Sequence, residues 1–260
     1  MKKILITGAN SYIGMSFERY MQQWPEDYQV DTVDMIDGSW RETSFAGYNA
    51  VFHVAGIAHQ KETAENAPLY YKVNRDLAAE TARKARAEGV RHFVFLSTMA
   101  VYGVDEGMIS PTTQPHPVSH YGKAKWEAEQ LLEPLRDAGF AIAVMRPPMV
   151  YGDGCKGNYQ ALVKLAKIMP VFPDYPNKRS MIHIDRLVQY VKNLIDNEAD
   201  GLFLPQDEDY VCTCRMVQGI AHSMGKNMRL WKLLNPAVSL AKKFTTAGKK
   251  AFGDLYYEKV

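Results

Sequence analysis

Tyr121 and Lys125 stand four residues apart in YGKAK, a spacing that places a phenol and an ammonium on one face of a helix. A phenol with a pKa of about 10 is a poor base at neutral pH, but a nearby Lys⁺ and an oxidised nicotinamide both favour the phenolate. The pair could therefore take or return a hydroxyl proton while a hydride moves to or from a cofactor. Tyr and Lys at this spacing also occur by chance on many helices, so context decides. About twenty residues upstream, LSTMAVYG (Leu96–Gly103) ends an apolar run with the hydroxyls of Ser97 and Thr98. A parallel sheet presents groups to its ligand at such a strand end, and a hydroxyl there could hold the reacting oxygen.

A second constellation lies at the N-terminus. TGANSYIG (Thr7–Gly14) falls between an apolar strand and a helical pattern, where free backbone N–H groups at a helix start can hold a pyrophosphate. Gly8 would allow the tight turn and Gly14 the close packing of helix on strand, with Asn10, Ser11, Tyr12 and Ile13 around the phosphates. Ser11 stands where a middle glycine is expected. Asp34 closes the next strand about twenty residues later, where a carboxylate can accept from both ribose hydroxyls and repel a 2′-phosphate. This favours NAD and leaves NADP open. Asp31 and Asp37 are neighbouring competitors, and three solvated loop acids are the plain alternative.

The elements that must position these residues read as strands alternating with helices, the pattern of a parallel sheet covered on both faces. Strands are expected at Lys3–Thr7, Tyr28–Asp34, Ala50–Ala55, Arg91–Ser97 and Ala141–Arg146. Helices are expected at Ser11–Trp24, Tyr70–Glu88, within Pro117–Gly139 (interrupted late by Pro134), at Asn158–Ile168 and over Ile182–Asp196. Beyond Tyr151 the rhythm becomes irregular, as expected of a smaller lobe that shapes a binding site.

Length and composition agree with this. The 260 residues can bury a sizeable core, and 47% apolar with 23% charged residues is ordinary for a globular protein. A net charge of +2 does not point to nucleic acid. Cys155, Cys212 and Cys214 show no CxxC spacing, so neither a disulfide framework nor a metal site is suggested, and a reduced, cytoplasmic setting fits. The apolar run after Lys2 and Lys3 ends at Gly8, too short for a signal peptide, and no stretch is long enough to span a membrane.

In this order the motifs resemble the extended short-chain dehydrogenase/reductase family, which comprises nucleotide-sugar epimerases, dehydratases and 4-keto reductases. TGANSYIG is similar to its TGxxGxxG, AVFHVAG (Ala50–Gly56) to its VxHxAA-type strand, and YKVN (Tyr71–Asn74) to its YxxN. STMAVYG, YGKAK and RPPMVYG (Arg146–Gly152) complete a series over about residues 3–190. The resemblance implies a Rossmann-type doubly wound parallel sheet, α/β in class, with a small C-terminal substrate lobe: residues 1–152 bind NAD(P), residues 153–260 form the lobe, and elements around 182–205 pack back on the sheet. It implies Thr98 as catalytic hydroxyl with Ser97 beside it, Tyr121 as acid/base and Lys125 as anchor of the nicotinamide ribose. Ala55, Gly56, Asn74 and Pro148 would line the cofactor or its helix. RSMIHID (Arg179–Asp185) is similar to RxxIHVxD, whose arginine contacts a substrate diphosphate, which selects Arg179; Asn158 and His59 are further substrate candidates.

Departures from the pattern also inform. The family's 4,6-dehydratases carry Asp-Glu after the catalytic Thr; here Met99 and Ala100 follow Thr98, which disfavours dehydration. The stretch between Asp34 and Tyr48 is short, so a helix and strand of the standard fold are expected to be missing, and Asn49 stands where Asp is common. His53 reads as a satisfied core histidine and His183 as packing in the lobe. The tail Ala241–Val260 mixes lysines with aromatic and aliphatic residues; it reads as a helix closing the lobe or, alternatively, as peripheral contact with an anionic membrane. The ending AGKKAFGDLYYEK resembles those of enzymes linked to surface-polysaccharide synthesis, and with the compact length and the missing Asp-Glu pair this tilts the reading toward a 4-keto reductase, while a 4-epimerase shares the same residues and stays open. A homodimer stays open, and the competing class is a non-catalytic NAD(P) sensor of the same fold.

Overall fold

A computed structural model describes residues 1–58 and 60–259. Six strands, β1 (Lys2–Thr7), β2 (Tyr28–Val33), β3 (Ala50–His53), β4 (His92–Leu96), β5 (Ala141–Met145) and β6 (Gly201–Phe203), form one parallel sheet. Their order is β6-β5-β4-β3-β1-β2. Alternation along each strand divides the core in two. Ile4, Ile6, Phe52, Val94 and Met145 face helices α1 (Tyr12–Met21) and α6 (Ile184–Asp196). Leu5, Val51, Phe93, Phe95 and Val144 face α3 (Leu77–Ala87) and α4 (His120–Leu132). Because both faces are covered, the strands are runs of apolar residues rather than apolar/polar alternations.

After β2 the chain crosses back over β1 to β3, and this reversal opens a crevice at the carboxyl ends of β1 and β3. Between Val33 and Ala50 there is only a short 3₁₀ turn, Ser39–Arg41, so the expected absence of a helix and strand is observed. Trp40 and Phe45, both buried, cover the sheet there instead.

Two helices depart from expectation. The helix expected at Tyr70–Glu88 starts earlier, as α2 (Ala67–Tyr71), and passes through a π turn, Lys72–Asp76, before α3. Ile182 and His183, expected at the start of a helix, belong to a strand, Met181–His183, paired with Met149–Tyr151. His183 then caps α6, its Nδ1 accepting from Asp185 N at 3.3 Å.

Beyond the sheet, α5 (Asn158–Ile168) and α7 (Thr213–Ser223) share a separate core with Phe172 and Met181. Strand Val171–Pro173 pairs with Arg229–Trp231, and helices α8 (Asn235–Phe244) and α9 (Thr246–Phe252) follow. The end of the tail is not a surface segment. Leu255–Tyr257 pairs in parallel with Gly107–Ile109, and the buried Tyr257 hydroxyl donates to Arg146 O at 2.6 Å. Leu255 and Tyr257 are core, so within the tail Ala241–Val260 these two side chains are not available for the membrane contact considered for it. No helix among the described residues is long and apolar enough to cross a membrane.

Candidate active site

Gly8 follows β1 with φ +113°, and a Cβ on it would stand 2.8 Å from Ala55 N. Only glycine lets the turn cross the end of β3 this closely. A Cβ on Gly14 would meet Ile6 and Val54 side chains at 3.2 Å, so its smallness sets α1 against the sheet. Asn10 takes a left-handed φ of 63°. Ser11 does what its type does best before a helix: its Oγ accepts from Gly14 N at 3.2 Å as N-cap. Tyr12 and Ile13 N–H have no protein acceptor among the described residues and open the anion-binding end of α1. Val33 O accepts from both Gly8 N and Ala9 N, at 3.0 and 3.1 Å, which ties the turn to the end of β2 and to the exposed Asp34 beside it. Tyr12 reaches the other way, its hydroxyl donating to Asp153 O at 2.8 Å; burial and nearby anionic groups push its pKa to about 12.

The second half of the site is the start of α4. Ser119 Oγ accepts from Gly122 N at 3.0 Å, and the Glu62 carboxylate accepts from His120 N at 2.8 Å and Tyr121 N at 3.0 Å. Glu62 is a residue that sequence reasoning missed, since a carboxylate 59 residues away leaves no local signal. Gly122 lies against Ala100 O, where a Cβ would come within 2.7 Å, and this brings α4 onto the segment after β4. Tyr121 is thereby held beside Thr98. Burial pushes the phenol to about 12, the Thr98 hydroxyl pulls it down, and Tyr70, edge-on at 6.5 Å, pushes it up.

Lys125 is 3% exposed. Its Nζ donates to Leu96 O at 2.8 Å, lies 4.6 Å from the centre of the Phe95 ring and stands 3.5 Å from where a Gly56 Cβ would be. Burial lowers its pKa to about 7, with Glu129 pulling it back up. Lys125 thus forms the floor of the crevice below Gly56, one turn along from Tyr121.

Other candidates take different places. Ser97 is buried and its hydroxyl donates to Glu129, so of the two hydroxyls after β4 Thr98 is the one left toward the site. Asn74 is fully buried, with Oδ1 accepting from Ile57 N and Nδ2 donating to Ile57 O, both at 3.1 Å. It braces the loop that carries Ala55 and Gly56, and it does so from within the π turn. Pro148 is buried after β5. Arg179 Nη1 donates to Gly253 O at 3.0 Å; burial lowers its pKa while Asp105, Asp254 and Glu106 raise it. Asn158 is exposed at the start of α5, and among the described residues no hydrogen bond or ion pair joins Arg179 or Asn158 to Thr98, Tyr121 or Lys125. His59 lies outside the described residues. His53 is core as expected but only half satisfied: Nδ1 hydrogen-bonds with Thr7 Oγ1 at 2.7 Å, Nε2 has no partner among the described residues, and burial, helped by the nearby Lys125 charge, lowers its pKa to about 3.

The crevice fits a dinucleotide. Small residues at Gly8 and Gly56 line it, and two N–H groups without a protein acceptor among the described residues stand at its middle; the exposed Asp34 carboxylate, which accepts from Ile36 N at 2.8 Å through one oxygen, lies at one end and an ammonium at the other. Two surface hollows of about 620 and 660 Å³ share Tyr151, His183 and Asp185 and contain none of Thr98, Tyr121 or Lys125.

Residues 4–202 match the model of the NAD dependent epimerase/dehydratase family. The chain is 31% identical over 262 aligned residues to a UDP-glucose 4-epimerase of Vibrio cholerae, covering 90% of this chain and 79% of the relative. It is 26% identical to the N-acetyl-alpha-D-glucosaminyl-diphospho-ditrans,octacis-undecaprenol 4-epimerase of Escherichia coli O157:H7, covering 76% and 64%. Among solved structures, UDP-glucuronic acid 4-epimerase from Bacillus cereus in complex with NAD superposes with a TM-score of 0.72 at 17% identity, covering 96% of each chain. The crevice, the Tyr121–Lys125 pair and the match over most of the chain lead to one conclusion: this protein belongs to the NAD dependent epimerase/dehydratase family and is an NAD-dependent enzyme of it.

Proposed function

We propose that the chain oxidises or reduces C4 of a sugar carried on a diphosphate, as a 4-epimerase or a 4-keto reductase. The observation that carries this reading is the convergence of Thr98, Tyr121 and Lys125 at the end of β4, beside the phosphate turn after β1. Bound NAD(P) would supply the hydride acceptor or donor. Tyr121 Oη takes the proton of the C4 hydroxyl, or returns it, and Thr98 Oγ1 orients that hydroxyl while stabilising the phenolate. The Lys125 ammonium, held by Leu96 O beside Gly56, would favour the phenolate and would hold the nicotinamide ribose when cofactor is bound. Glu62 fixes the start of α4 and hence the phenol's position. With Met99 and Ala100 after Thr98, the site has no acid and base there for removing water.

Both named relatives act at C4 of a sugar on a diphosphate, one nucleotide-linked and one polyprenyl-linked, which supports this substrate class. Arg179 is the proposed diphosphate contact, reached when the Gly253 carbonyl gives up its guanidinium. The test is incubation of purified protein with UDP-hexoses, and with UDP-4-keto-6-deoxy sugars plus NADH or NADPH. C4 interconversion without added cofactor identifies an epimerase, and stoichiometric loss of reduced cofactor a reductase. Cofactor binding without turnover of any substrate would overturn the proposal in favour of a sensor.

A further inference from the structure

Helix α8 is amphipathic the wrong way round for a helix packed only on its own lobe. Its inner side holds Val238, 6% exposed, and Lys242, which pairs with Glu106 at 3.1 Å. Asn235 Nδ2, donating to Asp174 O at 2.9 Å, secures its start. The opposite side turns outward with Leu240 (61% exposed) and Phe244 (70%), one turn apart, continued by Leu233 (86%) and Trp231 (46%) just before the helix. These are four large apolar side chains within fourteen residues, two on the anchored helix and two on the segment just before it, left to solvent.

The charge around them is one-sided. Between Tyr210 and Gly253 lie eight of the 31 lysines and arginines and none of the 29 acidic residues, so the rest of the chain carries 23 basic against 29 acidic residues. Arg215, Lys242 and Lys250 are partnered by carboxylates from elsewhere, Asp174, Glu106 and Asp105. Arg229, Lys232, Lys243 and Lys249 have no carboxylate within ion-pair distance among the described residues. Lys243 lies 5.6 Å from the centre of the Phe244 ring, its charge beside the apolar stripe.

We infer that the face formed by Trp231, Leu233, Leu240 and Phe244 docks on an anionic lipid bilayer, with Lys232 and Lys243 against the headgroups. The apolar side chains enter the boundary between headgroups and acyl chains while the lysines neutralise lipid phosphates. A second copy of the chain is the less suitable occupant, because Lys232 and Lys243, without a carboxylate partner among the described residues, would bring like charges together across such a contact. The docking does not depend on the proposed C4 chemistry, and the two can fail separately.

The test is sedimentation of the full chain with phosphatidylcholine vesicles, with and without phosphatidylglycerol. The partition coefficient is expected to be at least about tenfold higher on the anionic vesicles and to fall in about 0.5 M salt. Leu240→Glu/Phe244→Glu and Lys232→Glu/Lys243→Glu should each remove about tenfold of it with an unchanged melting curve, all four positions being exposed. Absence of binding to anionic vesicles, equal binding to neutral ones, or undiminished binding of Leu240→Glu/Phe244→Glu would overturn the inference. So would a wild-type dimer that becomes monomeric in Leu240→Glu/Phe244→Glu, which would assign the face to self-association.

Discussion

Lys125 and Glu129 lie one turn apart on α4, both almost completely buried, and they are treated in opposite ways. Glu129 is paired on every side: Arg146 Nε reaches it at 3.1 Å and Nη2 at 2.5 Å, and the Ser97 hydroxyl donates to it. Arg146 in turn donates to Tyr102 OH at 2.8 Å and lies over the Trp126 ring, while Tyr257 holds its carbonyl. Lys125 has one carbonyl and the face of Phe95. A buried charge with its hydrogen bonds complete is a structural joint, here between α4, β5 and the C-terminal strand. A buried amine left short of partners, with its pKa lowered to about 7, is a group waiting for a ligand.

Removing each in turn sharpens the contrast. Lys125→Met is expected to cut turnover by about 10²–10⁴-fold and not to lower the melting temperature. The folded pKa of Lys125 is depressed from the ordinary 10.5, so its favourable contribution is present above pH 10.5 and lost as pH falls toward about 7. The melting temperature of Lys125→Met should therefore gain on wild type progressively over that window. Glu129→Ala should do the reverse, stranding the Arg146 charge at a cost of about 3–5 kcal/mol. At roughly 2–4 °C per kcal/mol for a chain of this size, calorimetry should show a fall of roughly 6–20 °C. A loss of stability in Lys125→Met equal to that in Glu129→Ala would break the contrast.

Thr98→Val tests the hydroxyl beside the phenol. The Thr98 hydrogen bond lowers the Tyr121 pKa, so its loss raises it, and the rise of the oxidative rate with pH should move to higher pH, with turnover down by about 10–100-fold. The smallest effect is expected at Ser11→Gly, which restores the glycine of the family pattern. Stability should fall by only a few tenths of a kcal/mol, about what a Ser cap is worth over Gly. NAD titration should show affinity held, since the open N–H groups of Tyr12 and Ile13 are untouched.

Much of this contrast could be read from residue order. Five of the six sheet strands were visible as short apolar runs because both sheet faces are covered, β6 being too short to show, and the missing helix and strand were visible because the chain between Asp34 and Tyr48 is too short for them. The phosphate turn and the Tyr121–Lys125 pair declared themselves through local chemistry, namely glycines at a strand end and a four-residue helical spacing. What stayed hidden depends on distant partners. Nothing around Ser97 announces that Glu129 will turn its hydroxyl inward, and nothing around Asn74 announces the Ile57 backbone that its side chain binds from within a π turn. Three-residue strands such as Met181–His183 and Leu255–Tyr257 exist only through their pairing, so periodicity could not set their bounds.

The central claim is that the Tyr121 hydroxyl moves the proton at the sugar C4 oxygen. It is tested most directly by comparing wild type with Tyr121→Phe in single-turnover assays on the wild type's best sugar-diphosphate substrate, alongside NAD affinity and melting temperature. The expected result is a loss of about 10²–10⁴-fold in the rate of C4 oxidation or reduction, with NAD affinity and melting temperature unchanged. Undiminished turnover by Tyr121→Phe would contradict the claim.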